Sequence, residues 1–284
     1  MKKIGFIGGS GLYSIELENS KWITVDTHWG KPSDQILNGT IGNIEVFFLP
    51  RHGRGHVFTP SDVPYKANIA ALKKCGVDKI FSFSACGSLN EEMSPGDFVI
   101  VDQYIDKTTD RKKSFLKHSI VGHVSLADPT CKSQNRLIKN VADKLKIKAF
   151  EAGTYIAIEG PQFSTKAESK LYKDVWRCDV IGMTNVPEMN LAREAQICYS
   201  SVAMVTDFDC WHPDHESVTV EEIIKTMKSN VLTSQKLFFG ILQEIDSSSL
   251  TCQTGCQISL NTSIITSDEF KDTTVLKELG IKES

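Results

Sequence analysis

No apolar run of about 18 residues occurs anywhere in the sequence, so no membrane-spanning helix can be read from it. Positive charge is not in excess: 32 Lys and Arg stand against 35 Asp and Glu, a net charge of -3. That balance gives no electrostatic case for a nucleic-acid or anionic-membrane partner. Internal repeats are absent, and no break in composition marks a second domain. Met1-Lys2-Lys3 opens like a secretory leader, but Gly5, Gly8 and Gly9 interrupt the apolar stretch too early. The expected location is therefore cytoplasmic. The 8 cysteines are scattered, and Cys75, Cys86 and Cys198 sit in apolar surroundings that predict buried free thiols. Cys252 and Cys256 differ: they lie four apart in a polar stretch and can pair or bind metal, but a lone pair at that spacing specifies neither.

What is present is a chain of 284 residues, 40% hydrophobic, in which strand patterns alternate with helix patterns from end to end. Strands are expected over 3–7, 22–27, 45–49, 80–83, 97–105, 154–158, 179–181 and 198–205. Helices are expected over 62–75, 133–146, from 166, over 187–195, and from the capping box Thr219-Val-Glu-Glu222 to about 244. A last short helix is expected over 267–279. This alternation predicts a single three-layer αβα domain spanning 1–284 around a central mixed sheet. Residues 246–284 are expected to be a polar C-terminal extension.

Several strands run into short loops of glycine and hydrogen-bond donors. The first delivers Gly8-Gly9-Ser10-Gly11, whose backbone N–H groups can cradle an anion. A dinucleotide fingerprint fails there, because Leu12-Tyr13-Ser14 follows where the third glycine belongs. Residues 45–49 deliver Arg51-His52-Gly53-Arg54, with planar forks suited to phosphate oxygens. Residues 80–83 lead to Ser84-Ala85-Cys86-Gly87-Ser88, read as a third small-residue turn. Residues 154–158 lead to Glu159-Gly160-Pro161-Gln162-Phe163-Ser164, and 179–181 to Gly182-Met183-Thr184. Residues 107–125 read as a polar surface loop holding His118 and His123. His212 and His215 raise a metal site, but no second cluster supplies further ligands, so an acidic lid is the preferred reading.

The strand over 198–205 ends in Thr206-Asp207-Phe208-Asp209. In extended backbone, positions two apart face the same way, so both carboxyls are expected to point into the space beyond the strand end. Ligands bind at such ends in open α/β sheets. Two carboxylates aimed at one spot can read a heterocycle, one carrying a proton to a ring nitrogen and the other accepting from an exocyclic amine. With an anion site alongside, the chemistry implied is attack of phosphate on a sugar carbon as a base departs.

These residues together resemble the methylthioadenosine phosphorylase family, within the trimeric purine nucleoside phosphorylases. The resemblance rests on Gly5–Leu12, Arg51–Arg54, Ser84–Ser88, Ile158–Ser164, Ile181–Glu188 and Thr206–Trp211, in family order. It implies a phosphorylase-like αβα fold, a homotrimer or a dimer of trimers in which residues 246–284 pack on a neighbouring subunit, and conversion of 5′-methylthioadenosine and phosphate to adenine and 5-methylthioribose 1-phosphate. No cofactor and no metal are implied; phosphate is a co-substrate. Ser10, Arg51, His52, Ser84, Ala85 and Thr184 match phosphate contacts, and Met183 the residue at the ribose. Phe163 and Ser164 match positions at the base, Asp207 the group at the purine N7, and Asp209 the reader of the 6-amino group. His123, Val220 and Ile223 match the lining of the 5′ pocket. The alternatives carried forward are a purine nucleoside or methylthioinosine phosphorylase and, in another class, a metal-dependent nucleoside hydrolase.

Overall fold

Runs rich in β-branched and aromatic residues form the strands. In chain order these are β1 (Lys2–Gly8), β2 (Glu18–Ile23), β3 (Ile36–Ile41), β4 (Ile44–Pro50), β5 (Lys79–Ser88), β6 (Phe98–Val101), β7 (Gln103–Lys107), β8 (Ala149–Phe150), β9 (Thr154–Ile158), β10 (Val180–Gly182) and β11 (Cys198–Asp207). The helices are α1 (Tyr65–Lys74), α2 (Lys132–Lys144), α3 (Lys166–Lys170), α4 (Asn185–Glu194), α5 (Val220–Ser247) and α6 (Thr274–Glu278). This computed structural model describes residues 1–9, 15–117, 120–213, 220–247 and 250–281, and within α5 the side chains at 220, 222 and 223 lie outside the description.

The strands join one mixed sheet in which β5 is the branch point. Its first half pairs in parallel with β1, its last residues pair antiparallel with β10, and β11 runs parallel along its other side. From β10 the sheet continues through β9 to β7, and from β11 through β6 to β8. On the far side it runs from β1 through β4 and β3 to β2.

Alternation along the strands divides the core in two. Ile7, Phe47, Leu49, Ile80, Tyr199 and Val205 face one side, where they pack with Ile69 and Leu72 of α1 and Met189 and Leu191 of α4. Phe6, Val46, Phe48, Phe81, Phe83 and Val202 face the other, packing with Leu137 and Ile138 of α2 and Phe238, Ile241 and Leu242 of α5. Helices on both faces of a mixed sheet are the layers the alternation predicted.

Three local expectations are corrected. Residues 84–88 are not a turn but the second half of β5, where Ile181 pairs with Gly87 and Val180 with Ser88. Small residues are there because strands and side chains close in from both sides, a composition that resembles a turn. β3 was not anticipated; it contains Asn38-Gly39, a pair more usual in turns. The stretch over 97–105 is two strands, β6 and β7, which pair with different partners.

The extension beyond 246 returns to its own chain. Leu260, Val275, Leu276, Leu279 and Ile281 join the α1/α4 core, and Gly122 bridges Ile264. The helix expected over 267–279 is a 3-10 turn at Asp268–Phe270 followed by α6.

Candidate active site

β1, β4, β5 and β11 run parallel, so their carboxyl ends share an edge. Gly8 lies beside both Pro50 and Phe83, and the Arg51 N–H donates to the Gly8 carbonyl at 2.9 Å. Beyond this edge opens a cavity of about 690 Å³, within the range of a small-molecule site. Its wall includes Arg51, His52, Ser84, Ala85 and Thr184 on one side and Asp207 and Asp209 on another.

Arg51 is only 1% exposed and survives burial through Glu188. Its Nε donates to Glu188 Oε2 at 2.8 Å and its Nη2 to Oε1 at 3.1 Å, a forked pair. Nη2 also donates to Ser82 Oγ at 2.6 Å, and Nη1 to the Phe83 carbonyl at 3.0 Å. Glu188 accepts in addition from Ser82 Oγ at 2.6 Å and Tyr199 OH at 2.8 Å. A guanidinium has five N–H groups, so one on Nη1 lies outside these bonds, on a fork whose plane is fixed. His52 is buried, and burial together with the adjacent Arg51 charge lowers its pKa to about 4. Its Nδ1 lies 2.9 Å from the Phe58 carbonyl, so the neutral ring donates there and keeps Nε2 for other partners. Ser84 Oγ donates to Asn185 Oδ1 at 3.2 Å, and Asn185 is held by Ser201 Oγ at 2.6 Å.

Thr184 precedes α4, whose second residue, Val186, has extended backbone (φ -113°, ψ 125°), so the regular helix starts beyond it, at Pro187, the first residue of the helix expected over 187–195. The Thr184 N–H donates to Tyr155 OH at 3.5 Å. Gly182, just before, leaves room for that ring: a Cβ there would lie 1.9 Å from the Tyr155 hydroxyl.

The two aspartates reach the cavity by a route other than strand alternation. Register shifts between Val205 and Asp207, and Asp209 has a left-handed backbone (φ 50°). Asp207 Oδ1 accepts the Asp209 N–H at 2.8 Å, a local turn of the kind aspartate favours, and Oδ2 accepts from Thr206 Oγ1 at 2.7 Å. Asp209 is buried, and this desolvation raises its pKa. Gly87 makes the approach possible: a Cβ there would meet Asp207 Oδ1 at 2.9 Å and Ile181 at 3.0 Å. Ser164 Oγ is buried beside the cavity without a protein hydrogen-bond partner, while Phe163 is 48% exposed on its wall. Thr165 caps α3 through a capping box with Glu168, one residue before the expected helix start at 166.

Arg111, in a segment read as surface loop, is buried and ties three parts of the site together. Its Nε donates to Glu159 Oε1 at 3.1 Å, its Nη2 to the Glu159 carbonyl at 2.7 Å, and its Nη1 to the carbonyls of Met183 and Val186. The Val186 bond is 2.7 Å long. The sequence gives no sign of it beyond an arginine among lysines.

Of the other expected residues, Met183 lines the cavity. Ser10 lies outside the described residues, as do the side chains of Val220 and Ile223 and the Thr219 cap. Further along α5, Ile224, Met227, Lys228 and Val231 contribute to the wall, with Met204. His123 does not reach the cavity within this chain: it is exposed, its N–H donating to the Ser263 carbonyl at 2.8 Å. His215 is outside the described residues, and His212 stacks near Phe208 at 4.8 Å between ring centroids.

The model of the phosphorylase superfamily matches residues 3–243. An S-methyl-5′-thioadenosine phosphorylase of Cereibacter sphaeroides is 51% identical over 277 residues, covering 97% of this chain and 95% of that protein. One from Saccharolobus solfataricus is 48% identical over 263 residues, covering 92% of this chain and 97% of that protein. Among solved structures, a methylthioadenosine phosphorylase from an antarctic soil metagenomic library superposes with a TM-score of 0.91 at 42% identity, covering 98% of each chain. The Schistosoma mansoni methylthioadenosine phosphorylase in complex with adenine superposes at 0.82 with 34% identity, covering 88% of this chain and 93% of that one. A site of buried donors facing paired carboxyls, on this sheet and with these relatives, leads to one assignment: the chain belongs to the phosphorylase superfamily, in its methylthioadenosine phosphorylase family.

Proposed function

We propose that the chain catalyses phosphorolysis of 5′-methylthioadenosine, yielding adenine and 5-methylthioribose 1-phosphate. The observation that carries this reading is the meeting, in one cavity, of the donors Arg51, His52, Ser84 and Thr184 with the carboxyls of Asp207 and Asp209. The donors hold phosphate, together with Ala85 and Ser10. Phe163 and Ser164 meet the base, and Met183 the ribose. A phosphate oxygen attacks C1′ as the C1′–N9 bond breaks, and the electron pair leaves with the purine. A proton from Asp207 at N7 makes the base a neutral leaving group. The dianion stabilises the oxocarbenium-like sugar before capturing it. Phosphate is the second substrate, and the scheme uses no cofactor.

Asp209 accepts from the 6-amino group. An oxo group there meets an acceptor while Asp209 is ionised, which disfavours inosine substrates. The apolar wall of Ile224, Met227 and Val231 suits a methylthio group better than a hydroxyl. His123 can line that 5′ pocket only when supplied by a neighbouring copy, so the proposed active form is a homotrimer built from one phosphorylase domain per chain.

The test is adenine release from 5′-methylthioadenosine with and without phosphate, with adenosine, inosine and methylthioinosine run in parallel. Phosphate-dependent release favouring methylthioadenosine is expected. Equal use of adenosine removes the 5′ assignment, preference for inosine removes the role of Asp209, and release without phosphate removes the reaction. Light scattering should give about three times the 31.5 kDa chain mass.

A further inference from the structure

Four cysteines from three distant stretches converge at the end of the sheet opposite the cavity. The Sγ atoms of Cys131, Cys198, Cys252 and Cys256 all lie within 4.8 Å of one another. Among the described residues no other group of three or more His, Cys, Asp or Glu side chains is gathered in this way. All four are free thiols; three are buried and Cys252 is half-buried, at the solvent side. Four zinc–sulfur bonds of about 2.3 Å in a tetrahedron put their sulfurs about 3.8 Å apart. The Cys131 and Cys252 sulfurs are 3.9 Å apart, where a disulfide requires about 2.05 Å. We propose that these four thiols form a tetrahedral tetrathiolate site for a zinc-like divalent ion, one that fastens the C-terminal segment to the sheet.

The surroundings suit thiolates. Cys131 is the N-cap of α2, a 13-residue helix whose positive end faces its side chain. The Cys256 N–H donates to Cys252 Sγ at 3.4 Å, the backbone-to-sulfur bond that stabilises a bound thiolate. The ligand-bearing loop is already registered on the helix: the Gln253 N–H donates to Ser133 Oγ at 3.2 Å and the Lys132 N–H to Thr254 Oγ1 at 3.0 Å. Cys131 and Cys198 are fixed by backbone bonds to Tyr199 (2.8 Å) and Asp78 (3.0 Å). Two ligands are thus on the sheet and at the start of α2, and two on the C-terminal segment, where Cys256 opens a 3-10 turn, so the site couples that segment to the core when an ion binds. The role is structural. Cys198 begins β11 and Asp207 ends it, which separates the ion from the cavity by about 30 Å. Only Cys252 and Cys256 are near each other in sequence, so spacing could not reveal the set.

The experiment is metal analysis of the full-length protein purified under reducing conditions, followed by cobalt exchange. About one zinc per chain is expected, released when a mercurial titrates the thiols, and cobalt should give the intense visible bands of a tetrahedral tetrathiolate. Cys252→Ser should lose the metal, lower the melting temperature and open residues 250–281 to protease, while retaining phosphate-dependent adenine release in the cold. Should that variant not fold, the wild-type metal content and cobalt spectrum decide alone. Metal-free protein whose eight cysteines all titrate after unfolding, or an intact mass two hydrogens lower for each bond between them, overturns the proposal, the second outcome in favour of a disulfide staple.

Discussion

Asp209 is a buried carboxyl whose pKa desolvation raises, and in the proposed function its protonation state sets which purine it accepts. Ionised, it can only accept, and an amine suits it; protonated, it can donate to an oxo group. Discrimination between adenosine and inosine substrates should therefore narrow as pH falls through its raised pKa and widen as pH rises above it. Asp209→Asn, which presents both functions at every pH, should flatten that profile and lower the ratio of kcat/KM values by tenfold or more, about 1.4 kcal/mol. Retention of full adenine selectivity by this variant would remove the assignment. Beside it, Gly87→Ala places a methyl 2.9 Å from Asp207 Oδ1 in a β-strand whose backbone cannot retreat. A displaced Asp207 should cost about 10–100-fold in kcat/KM with little loss of stability, measured as steady-state kinetics beside a melting curve.

Between elements, the decisive residues are charges that sequence patterns do not pair. Arg111 links the end of β9, the Met183-Thr184 turn and the start of α4 through four bonds from one guanidinium. Arg111→Met leaves Glu159 and two carbonyls without that donor. It should destabilise the chain by about 3–5 kcal/mol and raise the phosphate KM as Thr184 loosens, read by denaturant unfolding and phosphate titration. A melting curve unchanged from the wild type would show that the turn is held by other means. The legibility of this site divides along the same line. Arg51, Thr184 and Asp207 were recognisable because short motifs carry them to strand ends, and Ser84 because its motif of small residues is distinctive even inside β5. Glu188 and Arg111 were not: the Arg51–Glu188 pair joins residues 137 apart. Asp209 lines the cavity, but its left-handed backbone, not the expected strand alternation, turns it inward. The order of elements was legible from alternating periods, whereas the doubling of β5 as turn-like sequence and strand depended on a partner, β10, that local composition cannot name.

For the molecule as a whole, the cost of holding ionisable groups unpaired with water appears in its pH response. His52 has a folded pKa near 4 against an ordinary value of 6.5. The unfolded chain thus takes up its proton first as pH falls. Stability should be full above about pH 6.5 and decline towards pH 4, by roughly 2–3 kcal/mol from this residue. Glu159, lowered to about 2 by hydrogen bonds from Ser61, Thr109 and Arg111 against the opposing effect of burial, should extend the decline below pH 4.5. His52→Gln should remove the upper part of that slope in urea unfolding followed from pH 7 to 4; an unchanged slope would assign it to other groups.

The branching of β5 has a consequence for how the protein comes into being. Arg51, Ser84, Thr184 and Asp207 all meet only after β11 has joined β5, and β11 is the last strand in chain order. A nascent chain carrying the glycine loop and Arg51 has no acid to aim at a base, and one stopped before residue 198 has no completed cavity to fill. Catalysis therefore begins late in synthesis, and adenine release during translation or refolding cannot precede the joining of β11 to β5.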